Sequence, residues 1–103
     1  MATLKKLALA ASILALSGLS AFAETIKIGI NQPLTGSVAA SGNFITDGAK
    51  LAAQAVNDNG GVLGGKQIEL VIEDNKGNPS EAAAAAEKLI SRDEVVAMMG
   101  AWG

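Results

Sequence analysis

From Ile26 to Met99 the hydrophobic period of the chain switches back and forth between two and 3.6 residues, and this alternation restricts the fold more than any single motif does. Ile26, Ile28 and Ile30 recur at every second position, which predicts a first strand. A loop from Asn31 to Gly42 follows, marked by Pro33, two glycines and small polar residues. From Asn43 onward Phe44, Gly48, Leu51, Ala52, Ala55 and Val56 fall at helical spacing with Asp47, Lys50 and Gln54 between them, predicting an amphipathic helix. It ends at Asn57-Asp58-Asn59-Gly60-Gly61, where paired glycines supply the left-handed conformation common at helix C-termini. Gln67 to Glu73 then alternates polar and apolar, as an edge strand does, with charges that discourage further pairing. Asn78-Pro79-Ser80-Glu81 carries an N-cap, a proline at the first helical position and an acid at the third, so a second helix starts there. It runs through the alanines to Ile90, with Lys88 and Arg92 complementing the dipole at its end. Val95 to Met99 is unbroken and apolar, the pattern of a central parallel strand.

The order strand, helix, strand, helix, strand implies right-handed crossovers and a doubly wound α/β fold with a parallel sheet. With the second strand at an edge, the spatial order is 2-1-3. Ligands of open α/β sheets bind beyond the carboxyl ends of the strands where the connections diverge, here between strands one and three. The loops concerned are Asn31 to Gly42 and the one opening at Gly100. Ser41 and Trp102 lie on the carboxyl sides of those strands and become ligand candidates, although a lone serine is usually solvated and a lone tryptophan usually core. The third strand has no partner on its far side and the core is small, so more of the sheet is expected beyond Gly103.

The first residues stand outside this pattern. Lys5 and Lys6 precede an apolar core from Leu7 to Leu16, and Ala21-Phe22-Ala23 places Ala21 and Ala23 at the small-residue positions of a cleavage site. The run is shorter than the roughly 20 apolar residues that span a bilayer. Residues 1–23 are therefore expected to be a cleaved signal peptide, with the mature chain starting at Glu24. Lys5 and Lys6 leave with it, so six basic residues face ten acidic ones and the net charge becomes −4. A mildly acidic chain without a basic run is a poor nucleic-acid binder. Cysteine is absent, which removes disulfides, thiol nucleophiles and a lipidated anchor; export without such an anchor points to the periplasm. Histidine is absent too, so neither a Ser-His-Asp triad nor a histidine zinc site is available.

Other chemistry finds little support. Gly29, Gly36 and Gly42 do not form a G-x-G-x-x-G turn, because the helix starts too late after the strand. Gly60 to Lys66 lead into a strand and not a helix, against a P-loop. Asp74 to Asn78 lacks the glycine position and the bidentate glutamate of a calcium loop. Glu73 and Asp74 are neighbours on a strand and point to opposite faces, so they read as a charged strand end and not as a catalytic pair. No catalytic residue, metal or cofactor is expected.

Taken together, Ile26-Lys27-Ile28-Gly29, Pro33-Leu34-Thr35-Gly36, Gly42, Asp47-Gly48-Ala49, Asn57 to Gly61, Gly64-Gly65-Lys66, Asn78-Pro79 and Gly100 resemble the amino-terminal part of the type I periplasmic binding proteins of the leucine/isoleucine/valine-binding family. The resemblance implies a two-lobe receptor of an ABC importer, of which residues 24–103 are the first part of lobe 1. It further implies an amino acid or similar small polar ligand, a monomer when full length, and docking on an inner-membrane ABC permease. Ser41 matches a position that is often aromatic and touches the ligand in amino-acid-binding members. Gly100, Ala101, Trp102 and Gly103 match the start of the loop whose hydroxyl and N–H groups hold the ligand carboxylate. Serine at position 41 and a tryptophan at position 102 open an alternative, a ligand that is an amide, urea or an aromatic acid. A ligand-sensing domain of an extracellular receptor is a second class, and an exported enzyme a more distant third, since no nucleophile stands beside a base.

Overall fold

The computed structural model describes residues 25–102. Strand β1 spans Thr25–Gln32, helix α1 Ala39–Asp58, strand β2 Gln67–Asp74, helix α2 Pro79–Ser91 and strand β3 Ala97–Met99. The expected signal peptide, including Ala21 and Ala23, and the ligand candidate Gly103 lie outside the described residues. The sheet order is β2-β1-β3 and both pairings are parallel, as the alternation of periods predicts. β1 pairs with β2 along its whole length, Thr25 opposite Gln67 to Gln32 opposite Asp74, but with β3 only from Ile28 to Ile30.

The two helices cover opposite faces. Ile28 and Ile30 lie toward Ala49, Ala53 and Val56 of α1. Gly29, between them, faces the other way, where a Cβ would stand 3.1 Å from Leu89 and 3.3 Å from Val95. Glycine at position 29 thus lets the fully buried Leu89 of α2 sit directly on the central strand. Ile30 and Leu89, both fully buried, mark the two halves of the core.

α1 departs from its expected form at both its start and its inward face. It begins at Ala39 and not Asn43, with Val38 as an N-cap that offers no side-chain bond, so the sequence carries no start signal there. The face it buries is Gly42 and Thr46, followed by Ala49 and Ala53. Phe44 and Leu51, expected inside, are 77% and 69% exposed. Two anchors set this rotation. Gly42 sits over the carbonyl of Pro33, where an added Cβ would be only 1.8 Å from the oxygen. At the other end, the Asn57 side chain accepts from the Ile68 N–H at 2.7 Å and donates to the Ile68 carbonyl at 2.9 Å. The amide of Asn57 thereby occupies backbone groups of the edge strand that would otherwise be open to another strand. At positions 42 and 57 the helix presents nearly the same side, and that side contains small residues, not Phe44 or Leu51.

α2 matches its sequence signals closely. Asn78 caps it by accepting from the N–H of Ser80 and Glu81, and Pro79 occupies the first position. Lys88 near its end pairs with Glu73 of β2 and with Asp93, which ties the helix to the sheet. β3 is shorter than the apolar run Val95–Met99, because Val95 and Val96 are spent on the approach to the sheet, Val96 donating to the Lys27 carbonyl at 2.9 Å. Among the described residues no helix is long and apolar enough to cross a membrane.

Candidate functional site

Buried polar side chains gather at the carboxyl ends of the strands: Asn31, Gln32 and Asn75 are each at most 4% exposed. Proline at position 33 starts this arrangement, since it has no N–H and the β1 ladder cannot continue through it. The chain turns at Gly36, whose φ of +91° suits glycine, and enters α1.

Asp74, the last residue of β2, fastens this turn from the side. Its Oδ1 accepts from the Leu34 N–H at 2.8 Å and the Lys76 N–H at 2.8 Å, and its Oδ2 accepts from the Thr35 hydroxyl at 2.7 Å. The Thr35 hydroxyl, with the N–H groups of Leu34, Lys76 and Thr35 and against the opposing effect of burial, holds the Asp74 carboxyl down at about 2. Stretch 74–78 is thus turn chemistry: Asn75 Oδ1 accepts from the Gly77 N–H and Asp74 from that of Lys76. Glu73 and Asp74 do point to opposite faces, the first to Lys88 of α2 and the second to the turn after β1.

A second network joins β1 to the start of α2. Asn31 donates to the Ala82 carbonyl at 2.9 Å and accepts from Asn75 at 3.0 Å. Gln32 reaches the other neighbour, donating from Nε2 to the Gly100 carbonyl at 2.7 Å and accepting at Oε1 from the Trp102 N–H at 3.2 Å. Between these loops lies a cavity of about 280 Å³. Its walls come from Ser37 and Val38 after β1, Asn75, Gly77 and Asn78 after β2, the start of α2, and Ala101 and Trp102 after β3. No lining side chain is charged, so the walls offer neutral hydrogen-bonding groups, an aromatic ring and backbone. Among the described residues no group of acids, histidines or cysteines could hold a metal ion.

Of the residues singled out from sequence, Ala101 and Trp102 come together on one wall of this cavity, and Trp102 is 48% exposed. Ser41 is half-buried in the first turn of α1 and is not among the lining residues. Gln32 is not among the residues the sequence points to, although it carries a readable signal. It continues the period of Ile26, Ile28 and Ile30, and a polar residue at a core-facing position must find partners. Asp74 reads from sequence as part of a charged strand end, and nothing in the sequence marks its bonds to Leu34 and Thr35, because acids close strands in many chains.

The sequence from 25 to 103 matches the family model of the periplasmic binding proteins. The chain is 42% identical over 65 residues to the Leu/Ile/Val-binding protein BraC3 of Rhizobium johnstonii, covering 63% of this chain and 17% of that protein. It is 39% identical over 88 residues to a leucine-, isoleucine-, valine-, threonine- and alanine-binding protein of Pseudomonas aeruginosa, covering 85% of this chain and 23% of that one. Among solved structures, the branched-chain amino acid transporter substrate binding protein LivJ of Streptococcus pneumoniae, in complex with isoleucine, superposes with a TM-score of 0.72 at 44% identity. That match covers 75% of this chain and 22% of the other. The chain therefore spans about a fifth of the length of the relatives it matches. With the sheet order in agreement, the chain belongs to the type I periplasmic binding proteins, in the branch of the leucine/isoleucine/valine-binding family.

Proposed function

We propose that this chain contributes one wall of a periplasmic solute receptor that delivers a branched-chain amino acid to an ABC permease in the inner membrane. The observation that carries the reading is the family match over residues 25–103, which includes the loops after β1 and β3. The neutral cavity walls support it, since a zwitterionic amino acid is bound by hydrogen bonds and apolar contact without a net counter-charge. In this reading Ala101, Trp102 and Gly103 face the ligand from the loop after β3, and Ser41 approaches it from the first turn of α1. The second wall comes from another lobe, and binding closes the two about a hinge. Residues 1–23 act as the signal peptide, cleaved between Ala23 and Glu24, and residues 24–103 form the first part of lobe 1. The full-length receptor is a monomer, carries no cofactor and returns its ligand unchanged.

The test is calorimetry on the full-length protein recovered from periplasm, titrated with L-leucine, L-isoleucine and L-valine. Saturable one-to-one binding of at least one of them is expected, and the ligand should be recovered intact. A folded protein that takes none of the three, or that converts one of them, overturns the reading.

A further inference from the structure

We infer that Gln32 is a positioning residue of the binding cleft, its side-chain amide setting the path of Gly100 to Trp102; the inference rests on the reading of that segment as a ligand wall. The regular pairing of β1 with β3 ends at Ile30 and Met99. Carried forward, that register sets Ala101 opposite Gln32. There the Gln32 side chain donates to the Gly100 carbonyl at 2.7 Å and accepts from the Trp102 N–H at 3.2 Å. These are the carbonyl and the N–H that flank Ala101, so a single amide holds the loop on both sides of that residue.

The backbone of Gln32 is committed to the other side, its carbonyl accepting from the Asn75 N–H at 3.0 Å. One residue therefore ties β1 to both flanking loops, by main chain to the one after β2 and by side chain to the one after β3. Gln32 is 1% exposed, so water does not compete for these bonds and an unmade partner there is costly. An apolar side chain would serve burial at this position equally well. What the amide adds is a defined course for the loop that carries Trp102, and recognition by a loop depends on such supporting contacts.

The experiment compares the full-length wild type with Gln32→Met, which keeps the length and removes both bonds, and Gln32→Glu, which keeps the acceptor and removes the donor. Two readouts are taken: hydrogen exchange of the Trp102 amide without ligand, and calorimetric affinity for L-isoleucine. For Gln32→Met we expect Trp102 exchange about tenfold faster, with β1 and β2 amides unchanged, and isoleucine affinity about tenfold weaker. Gln32→Glu should fall between. Wild-type exchange at Trp102 in Gln32→Met overturns the inference, as does faster exchange with affinity unchanged. Should Gln32→Met not fold, Gln32→Leu, which also removes both bonds, carries the same comparison. If the wild type takes no isoleucine, the transport reading fails separately, and exchange at Trp102 still decides whether Gln32 sets the loop.

Discussion

Replacing Gly42 by alanine adds one methyl group where the structure has no room for it. The Cβ would stand 1.8 Å from the Pro33 carbonyl oxygen and 2.7 Å from its carbon. Ordinary contact begins near 3.4 Å, so helix and loop must separate by about 1.6 Å, and both obstructing atoms are backbone with no rotamer to escape into. Overpacking of this kind costs about 1 to 3 kcal/mol and sometimes more, while alanine recovers up to about 1 kcal/mol of helix propensity over glycine. With backbone set against backbone the upper part of the range applies, and we expect a net loss of about 2 kcal/mol. Gly48 provides the internal control: it lies in the same helix, and nothing stands within 4 Å of its added Cβ. Gly48→Ala should raise stability by up to about 1 kcal/mol. The assay is urea unfolding of both full-length variants beside wild type, read as midpoint shifts at a common slope. Opposite signs are expected; a Gly42→Ala protein as stable as wild type would refute the close approach of α1 to Pro33.

Asn57→Ala removes both bonds to Ile68 at the edge strand and should lower stability by about 1 to 3 kcal/mol, with Asn57→Asp losing less of it because the acceptor survives. The Asp74 carboxyl titrates near 2 in the folded protein against an ordinary 3.8, so its stabilising effect is complete above about 3.8 and is lost as pH falls toward 2. Asp74→Asn should therefore be less stable than wild type at pH 7, and the gap measured by urea unfolding should close between pH 4 and pH 2; a gap independent of pH would show that the carboxylate is not the latch. Trp102, half exposed, should contribute little to folding: Trp102→Ala is expected to weaken isoleucine binding with the unliganded melting temperature nearly unchanged. A loss on the scale of a buried aromatic, about 3 to 5 kcal/mol, with affinity intact would remove Trp102 from the cleft wall.

The fold class and the sheet order were legible because they depend on period and sequence, which are local properties. Period two at Ile26 to Ile30, the alternation at Gln67 to Glu73 and the apolar run at Val95 to Met99 set three strands, and the polar alternation of the second placed it at an edge. The start of α2 was equally legible, since Asn78, Pro79 and Glu81 do their capping within a single turn. The start of α1 was not, because Val38 caps nothing and the helix begins at Ala39 by packing against Pro33. Its inward face was also a tertiary decision. Period alone favours Phe44 and Leu51, but Gly42 over the Pro33 carbonyl and Asn57 on the edge strand fix the rotation, and those contacts join residues 9 and 11 positions apart. That Trp102 lies beyond the carboxyl end of the third strand, where it lines the cavity, was legible from its position after the apolar run. Gln32 could not be given its task from sequence, because its partners, Gly100 and Trp102, are 68 and 70 residues away and become neighbours only when β3 pairs beside β1.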